Sequence, residues 1–261
     1  MKLDSAEIAG KTETLGEPES VVKTETRGGL ESVESPKNGL EQETAASPKS
    51  GHALCAALRL YAVTDRHWLN GRTLVQCVEQ AIDGGATFVQ LREKDLDEDS
   101  FLNEARALKK VCAERGVPFV VNDNVMIAKE VCADGVHVGQ SDMACLEARR
   151  ILGPDAIIGV SACTVEQALL AESQGADYLG VGAVFATGSK ADAESVSFET
   201  LKAICSAVKI PVVAIGGISA GNVHELKGSG IAGVSVISAI FANDDIRAAT
   251  KILAGKVAEV F

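Results

Sequence analysis

A polar run, Gln90-Leu91-Arg92-Glu93-Lys94, closes a short apolar segment that begins at Phe88. The alternation of Phe88, Val89 and Leu91 reads as a buried strand, with Gln90 facing inward. Arg92 and Lys94 then stand where a strand gives way to a loop, a place for two cations that receive an anion. Asn122-Asp123 and Gln140-Ser141-Asp142 each follow another apolar run. Two carboxylates without His or Cys in the pattern favour a hard cation, Mg²⁺ before Zn²⁺. Either acid alone reads better as a helix N-cap; together, facing a cationic cluster, they read as a metal site that bridges to a phosphate.

Gly216-Gly217 and the small pair Ser238-Ala239 follow the last two apolar runs. Backbone N–H groups there can bind a phosphate dianion with no side-chain charge; the plain alternative is a glycine pair in a tight turn. Thr187-Gly188-Ser189-Lys190 belongs to a long loop of the kind that forms a mobile flap. Its hydroxyls and lysine suit closure over a phosphorylated ligand, against the simpler reading of Lys190 as a solvated charge. Ser161 ends a further run, with Cys163 beyond it as an inert thiol, and His137 reads as a satisfied core histidine. There is no nucleophile–His–acid constellation. Two separate anion-binding devices suit the joining of two phosphorylated substrates with departure of one phosphate group.

These residues need elements to carry them. Apolar runs predict strands over Leu58–Val63, Thr87–Leu91, Pro118–Val121, Gly135–Val138, Ala156–Gly159, Tyr178–Val181, Pro211–Ala214 and Gly233–Ile237. Amphipathic stretches between them predict helices, among them Glu98–Glu114, Met143–Ile151, Val165–Gln174 and Ala220–Leu226. Eight strand–helix units in about 200 residues match the (β/α)8 TIM barrel, an α/β fold whose active sites lie at the C-terminal ends of its strands. An open doubly wound sheet is the alternative, but it rarely uses eight such even units.

Residues 1–56 differ from the rest. They lack Phe, Tyr and Trp, and they repeat Lys-Thr-Glu-Thr (Lys11–Thr14, Lys23–Thr26) and Ser-Pro-Lys (Ser35–Lys37, Ser47–Lys49). Too little apolar surface is available to offset the entropy of ordering, so a disordered low-complexity acidic tail is expected before a barrel over residues 57–261. With 36 acidic against 25 basic residues, net charge −11, the chain is a poor binder of nucleic acid or anionic membranes. Seven dispersed cysteines without a C-x-x-C spacing point to reduced thiols in a cytoplasmic protein. No apolar run is long enough to span a membrane. A homo-oligomer is compatible with all of this.

The ordered set of segments resembles the thiamine-phosphate synthase family across residues 58–257. It comprises Tyr61-Ala62-Val63-Thr64-Asp65, Val89 to Lys94, Val121-Asn122-Asp123, Ala133 to Asp142, Ile158 to Ser161, Asp177 to Gly182, Ala214 to Ile218 and Gly233 to Ile240. The resemblance implies an enzyme that joins an aminopyrimidine methyl diphosphate to a thiazole phosphate and releases pyrophosphate. It implies that Gln90, Leu91, Arg92, Glu93, Lys94, Asn122, Ser161 and Lys190 hold the pyrimidine diphosphate. Arg92, Lys94, Ser161 and Lys190 would take part in the chemical step, and Asp123 and Asp142 would bind Mg²⁺. Thr187, Gly188, Ser189, Gly217, Ile237 and Ser238 would hold the thiazole phosphate. The implied mechanism is dissociative, with no protein nucleophile. The chain departs from the family pattern at Asn124 (often Arg), at Cys163 (often His) and at Ala183 and Ser189 in the flap. Two rivals are a thiazole tautomerase of the same barrel family and a non-catalytic barrel that senses a phosphorylated ligand; neither needs the acidic pair together with Arg92 and Lys94.

Overall fold

The computed structural model of the chain describes residues 51–188 and 195–261. The repeats before residue 51, and Ser189 and Lys190 of the flap, lie outside the described residues. In chain order the elements are α1 (Gly51–Ala57), β1 (Leu60–Val63), α2 (Leu74–Gly84), β2 (Phe88–Leu91), α3 (Glu98–Glu114), β3 (Phe119–Asn122) and α4 (Val125–Glu130). Then follow β4 (Gly135–Val138), α5 (Cys145–Leu152), β5 (Ile157–Ala162), α6 (Val165–Ser173), β6 (Tyr178–Val181) and α7 (Phe198–Ala207). The chain ends with β7 (Val212–Ile215), β8 (Gly233–Val236), α8 (Ser238–Phe241) and α9 (Ile246–Ala258). All eight strands are parallel and close in chain order, β8 returning to β1 through the pair Tyr61↔Ser235.

Side chains alternate across the barrel wall because successive strand residues face opposite sides. Leu60, Ala62, Val89, Leu91, Val121 and Val136 join the layer between strands and helices. Tyr61, Val63, Phe88, Val120, Tyr178 and Val213 fill the interior. Both faces are covered, which is why the strands read as almost continuous apolar runs. Helix starts follow the sequence closely: Thr73 and Gln76 form a capping box on α2, while Asp97, Thr164 and Ser197 cap α3, α6 and α7.

Several boundaries move for local reasons. β5 runs on to Ala162, which pairs with Val181, past the expected end at Gly159. The segment predicted as a helix over Ala220–Leu226 is a 3₁₀ turn over Val223–Leu226. α8 was not expected; four residues are too few for a periodic signal. The largest correction concerns the tail, since residues 51–56 were expected within its unstructured stretch and are helical. Leu54 of α1 is 3 % exposed and joins Leu58 and Tyr61 in the interior cluster, so α1 closes the barrel at the N-terminal ends of its strands. Leu58 is held out of β1 because its N–H donates to the Leu54 carbonyl at 2.9 Å.

Burying a leucine stabilises by about 1.5–3 kcal/mol. A chain that begins at Leu58 should therefore melt about 3–10 °C below one that begins at Gly51. Equal melting temperatures for the two truncations would contradict a structural role for α1.

Candidate active site

The cations after β2 are each tied to a neighbouring loop. The Arg92 backbone N–H donates to Thr64 Oγ1 at 3.0 Å, and its guanidinium lies 3.6 Å from Asp65 Oδ2. Lys94 Nζ donates to Asp123 Oδ2 at 2.7 Å. Glu93 sits between them with its side chain 3 % exposed, taking two hydrogen bonds from Arg66 at 3.2 and 3.1 Å. Arg66 also bonds Glu104 of α3, so one guanidinium serves two carboxylates. The loops after β1 and β2 are thereby strapped together through three successive residues, Thr64, Asp65 and Arg66.

Burial and the nearby Glu104 carboxylate push the Glu93 acid up to about 7, against the pull of Arg66. An acid raised on folding binds its proton more tightly in the folded chain. The stability this adds is present at low pH and lost as pH rises from about 4.5 to about 7. The melting-temperature advantage of the wild type over Glu93→Gln should shrink across that window and level off above it. A constant difference from pH 4 to 8 would contradict the shared-guanidinium arrangement.

Asp123 has φ +61°, a left-handed conformation that Asp tolerates better than most residues. Its N–H donates to the His137 carbonyl at 2.8 Å, anchoring the end of β3 to β4. The helix-capping role belongs instead to Asn124, whose Oδ1 accepts from Ile127 N–H at 2.9 Å. This gives Asn124 a task at the position where the family often has Arg. Asp142 does not cap α5 either; its Oδ2 accepts from Gly139 N–H at 2.7 Å. Burial raises the Asp123 carboxyl above its ordinary value, Lys94 pulls it down, and the adjacent Asp142 carboxylate pushes it up again. Two hard oxygen donors crowded together, with no capping duty, are a donor set that suits a hard divalent cation such as Mg²⁺. Among the described residues no group of three or more His, Cys, Asp or Glu side chains converges on one metal position.

Beneath this cluster a hydrogen-bonded chain crosses the barrel interior. Gln90 Nε2 donates to the Tyr61 hydroxyl, which bonds the Tyr178 hydroxyl at 2.9 Å. Tyr178 reaches His137 Nδ1 at 3.0 Å, and His137 Nε2 reaches Ser161 Oγ at 3.0 Å. Space for the two rings comes from Gly159 and Gly180: a Cβ at Gly159 would collide with the Tyr178 ring and with His137 Nδ1. Gln140 Nε2 donates to the Ser161 carbonyl at 2.6 Å, fixing the end of β5. The sequence reading rightly gave His137 buried partners but left Tyr61 and Tyr178 out of the site. Tyr61 is an inward phenol in register with Ser235 of β8, whereas Tyr178 stands opposite Gly159, so no polar register partner points to it. Ser235 Oγ is a further buried hydroxyl, and among the described residues it is the buried side-chain polar atom with no hydrogen-bond partner.

On the other side of the mouth, Thr187, Gly188, Gly217, Ser238 and Ala239 line one open cavity of about 600 Å³. Gly217 has φ +63°, and a Cβ there would strike the Ala186 carbonyl, so the close approach of these loops requires glycine. Asn222 Nδ2 donates to the Gly217 carbonyl at 2.9 Å and staples the turn. No side chain caps α8, leaving its first amides to other acceptors. Ile237 does not line this cavity; it packs against the interior cluster. Asn122 ends β3 in register with His137.

A closed parallel (β/α)8 barrel with its polar groups gathered at the strand C-termini defines an α/β-barrel enzyme. The family model described as thiamine monophosphate synthase matches residues 60–240. The chain belongs to that family, and the protein is an enzyme of its class, a transferase. It is 51 % identical over 197 residues to the thiamine-phosphate synthase of Clostridium novyi, covering 75 % of this chain and 97 % of that one. The thiamine-phosphate synthase of Clostridium tetani is 50 % identical over 196 residues, covering 75 % and 94 %. The solved thiamine phosphate pyrophosphorylase of Pyrococcus furiosus superposes with a TM-score of 0.74 at 41 % identity, over 80 % of this chain and 99 % of that one.

Proposed function

We propose that the enzyme condenses an aminopyrimidine methyl diphosphate with a thiazole ethyl phosphate to give thiamine phosphate and pyrophosphate. The observation that carries this reading is the pairing of two anion-binding devices at one barrel mouth, in a chain of this family. The Lys94–Asp123–Asp142 cluster with Arg92 stands on one side. The Gly217–Ser238 cradle stands on the other.

In this reading Arg92 and Lys94 take the diphosphate, joined by Asn122 and, from outside the described residues, Lys190. Asp123 and Asp142 hold Mg²⁺, which when bound neutralises charge on the departing diphosphate. Lys94 must then leave Asp123 Oδ2 for a phosphate oxygen, an exchange of one anionic partner for another. The C–O bond between the pyrimidine methylene and the diphosphate breaks first. The thiazole nitrogen then supplies its lone pair to form the new C–N bond. No protein nucleophile is needed; the chain contributes cations where negative charge develops and a pocket that aligns two rings. Thr187, Gly188, Ser189, Gly217 and Ser238 hold the thiazole phosphate. The seven cysteines are free thiols, which suits a cytoplasmic setting, and no helix among the described residues is long and apolar enough to cross a membrane.

Purified full-length chain incubated with both substrates and Mg²⁺ should yield thiamine phosphate and pyrophosphate in equal amounts, and EDTA should abolish both. Absence of product at high enzyme concentration would overturn the assignment.

A further inference from the structure

The interior chain from Gln90 to Ser161 has a direction. Each tyrosine hydroxyl carries one proton and stands between two members of the chain, so it donates to one and accepts from the other. A neutral imidazole obeys the same rule. With Gln90 Nε2 donating to Tyr61, Tyr61 donates to Tyr178 and Tyr178 donates to His137 Nδ1. His137 then carries its proton on Nε2 and donates to Ser161 Oγ. A cationic His137 would donate at both nitrogens and turn Tyr178 toward Tyr61, whose oxygen already receives the Gln90 amide. Burial pushes both phenols far above their ordinary range, so they remain protonated.

The two ends of the chain are both residues assigned above to the pyrimidine diphosphate. One end leaves Gln90 Oε1 outside the chain as an acceptor; the other leaves the Ser161 proton to be donated outward. Reversing any one bond reverses the rest, so the two ends change role together. We infer that Tyr61, Tyr178 and His137 are positioning residues that set Gln90 Oε1 as an acceptor and Ser161 as a donor toward one heterocycle carrying an amino group and a ring-nitrogen acceptor. This rests on the pyrimidine reading under Proposed function, but the polarity of the chain is set without substrate.

The test is ¹⁵N NMR of full-length protein labelled at its four histidines, with His137 identified by loss of its signals in His137→Gln. At pH 7 and without ligand, His137 should show a protonated Nε2 and an unprotonated Nδ1. Tyr178→Phe removes the donor to Nδ1 and should mix the tautomers. It should also raise KM for the pyrimidine diphosphate by about tenfold, the loss of one well-made hydrogen bond. Thiazole phosphate affinity should stay within about twofold. Tyr61→Phe leaves the Tyr178–His137 contact in place but cuts it from Gln90, and should mix the tautomers as well. A His137 that is cationic or protonated on Nδ1 in the wild type overturns the proposal. So does a tautomer ratio and KM unchanged in both variants. The expected tautomer in an enzyme that makes no thiamine phosphate would overturn the substrate assignment alone, which separates the two failures.

Discussion

Replacing Asp123 by asparagine should lower turnover by about two to three orders of magnitude while moving the melting temperature by only a few degrees. Its carboxylate does little for the fold. It caps no helix, it is crowded by Asp142, and among the described residues its cationic partner is Lys94, half-exposed at 52 %. Asparagine tolerates the left-handed backbone at φ +61° as well as aspartate does, so the substitution isolates charge from conformation. Loss of the Lys94 pair and relief of the Asp142 repulsion oppose each other. What disappears is the anionic oxygen that a hard cation needs. Steady-state assay across Mg²⁺ concentrations, with a thermal melt of the same preparation, measures both quantities. A variant with near-wild-type rate at limiting Mg²⁺ would remove Asp123 from any metal site.

Adding a single methyl group at Gly159 should have an effect of similar size, but through the fold. A Cβ there would occupy the space of the Tyr178 ring and press on His137 Nδ1, neither of which can swing away inside a closed barrel. Overpacking of this kind costs about 1–3 kcal/mol, or roughly 3–10 °C in melting temperature for a barrel of this size. Because the displaced groups are the middle of the Gln90–Ser161 chain, activity should fall more than stability alone explains. Gly180→Ala is the internal comparison: its Cβ would stand 3.0 Å from His137 Cε1, a contact that a small ring tilt relieves. Gly159→Ala should therefore melt well below Gly180→Ala and show the higher KM for the pyrimidine diphosphate. The opposite ranking would mean that the ring positions are more pliable than the packing implies.

The barrel itself was legible because its strands are buried on both faces and its helices begin at Thr73, Asp97, Thr164 and Ser197, residues that announce a cap wherever they stand. Candidate site positions followed from one rule about strand ends. What stayed hidden was every relationship between distant segments. Nothing local in Glu93 indicates that Arg66 and Glu104 flank it, and nothing in Lys94 indicates that Asp123 already holds it. Tyr61 and Tyr178 were counted as apolar bulk because a phenol in an apolar run looks like core; only their closeness across the barrel turns two hydroxyls into a connection. The helix α1 was lost in the average of the polar stretch before it, since Leu54 alone carries its buried face.

That short helix bears on how the enzyme can be handled. α1 leads into the barrel at the end opposite the loops after the strands, and among the described residues the first buried anchor is Leu54. A reporter domain, an affinity handle or a solid support joined directly at Gly51, in place of residues 1–50, therefore connects to the base that α1 closes. The mouth is left facing solution. Immobilised in that orientation, the enzyme should keep its access to two small substrates arriving from the same side.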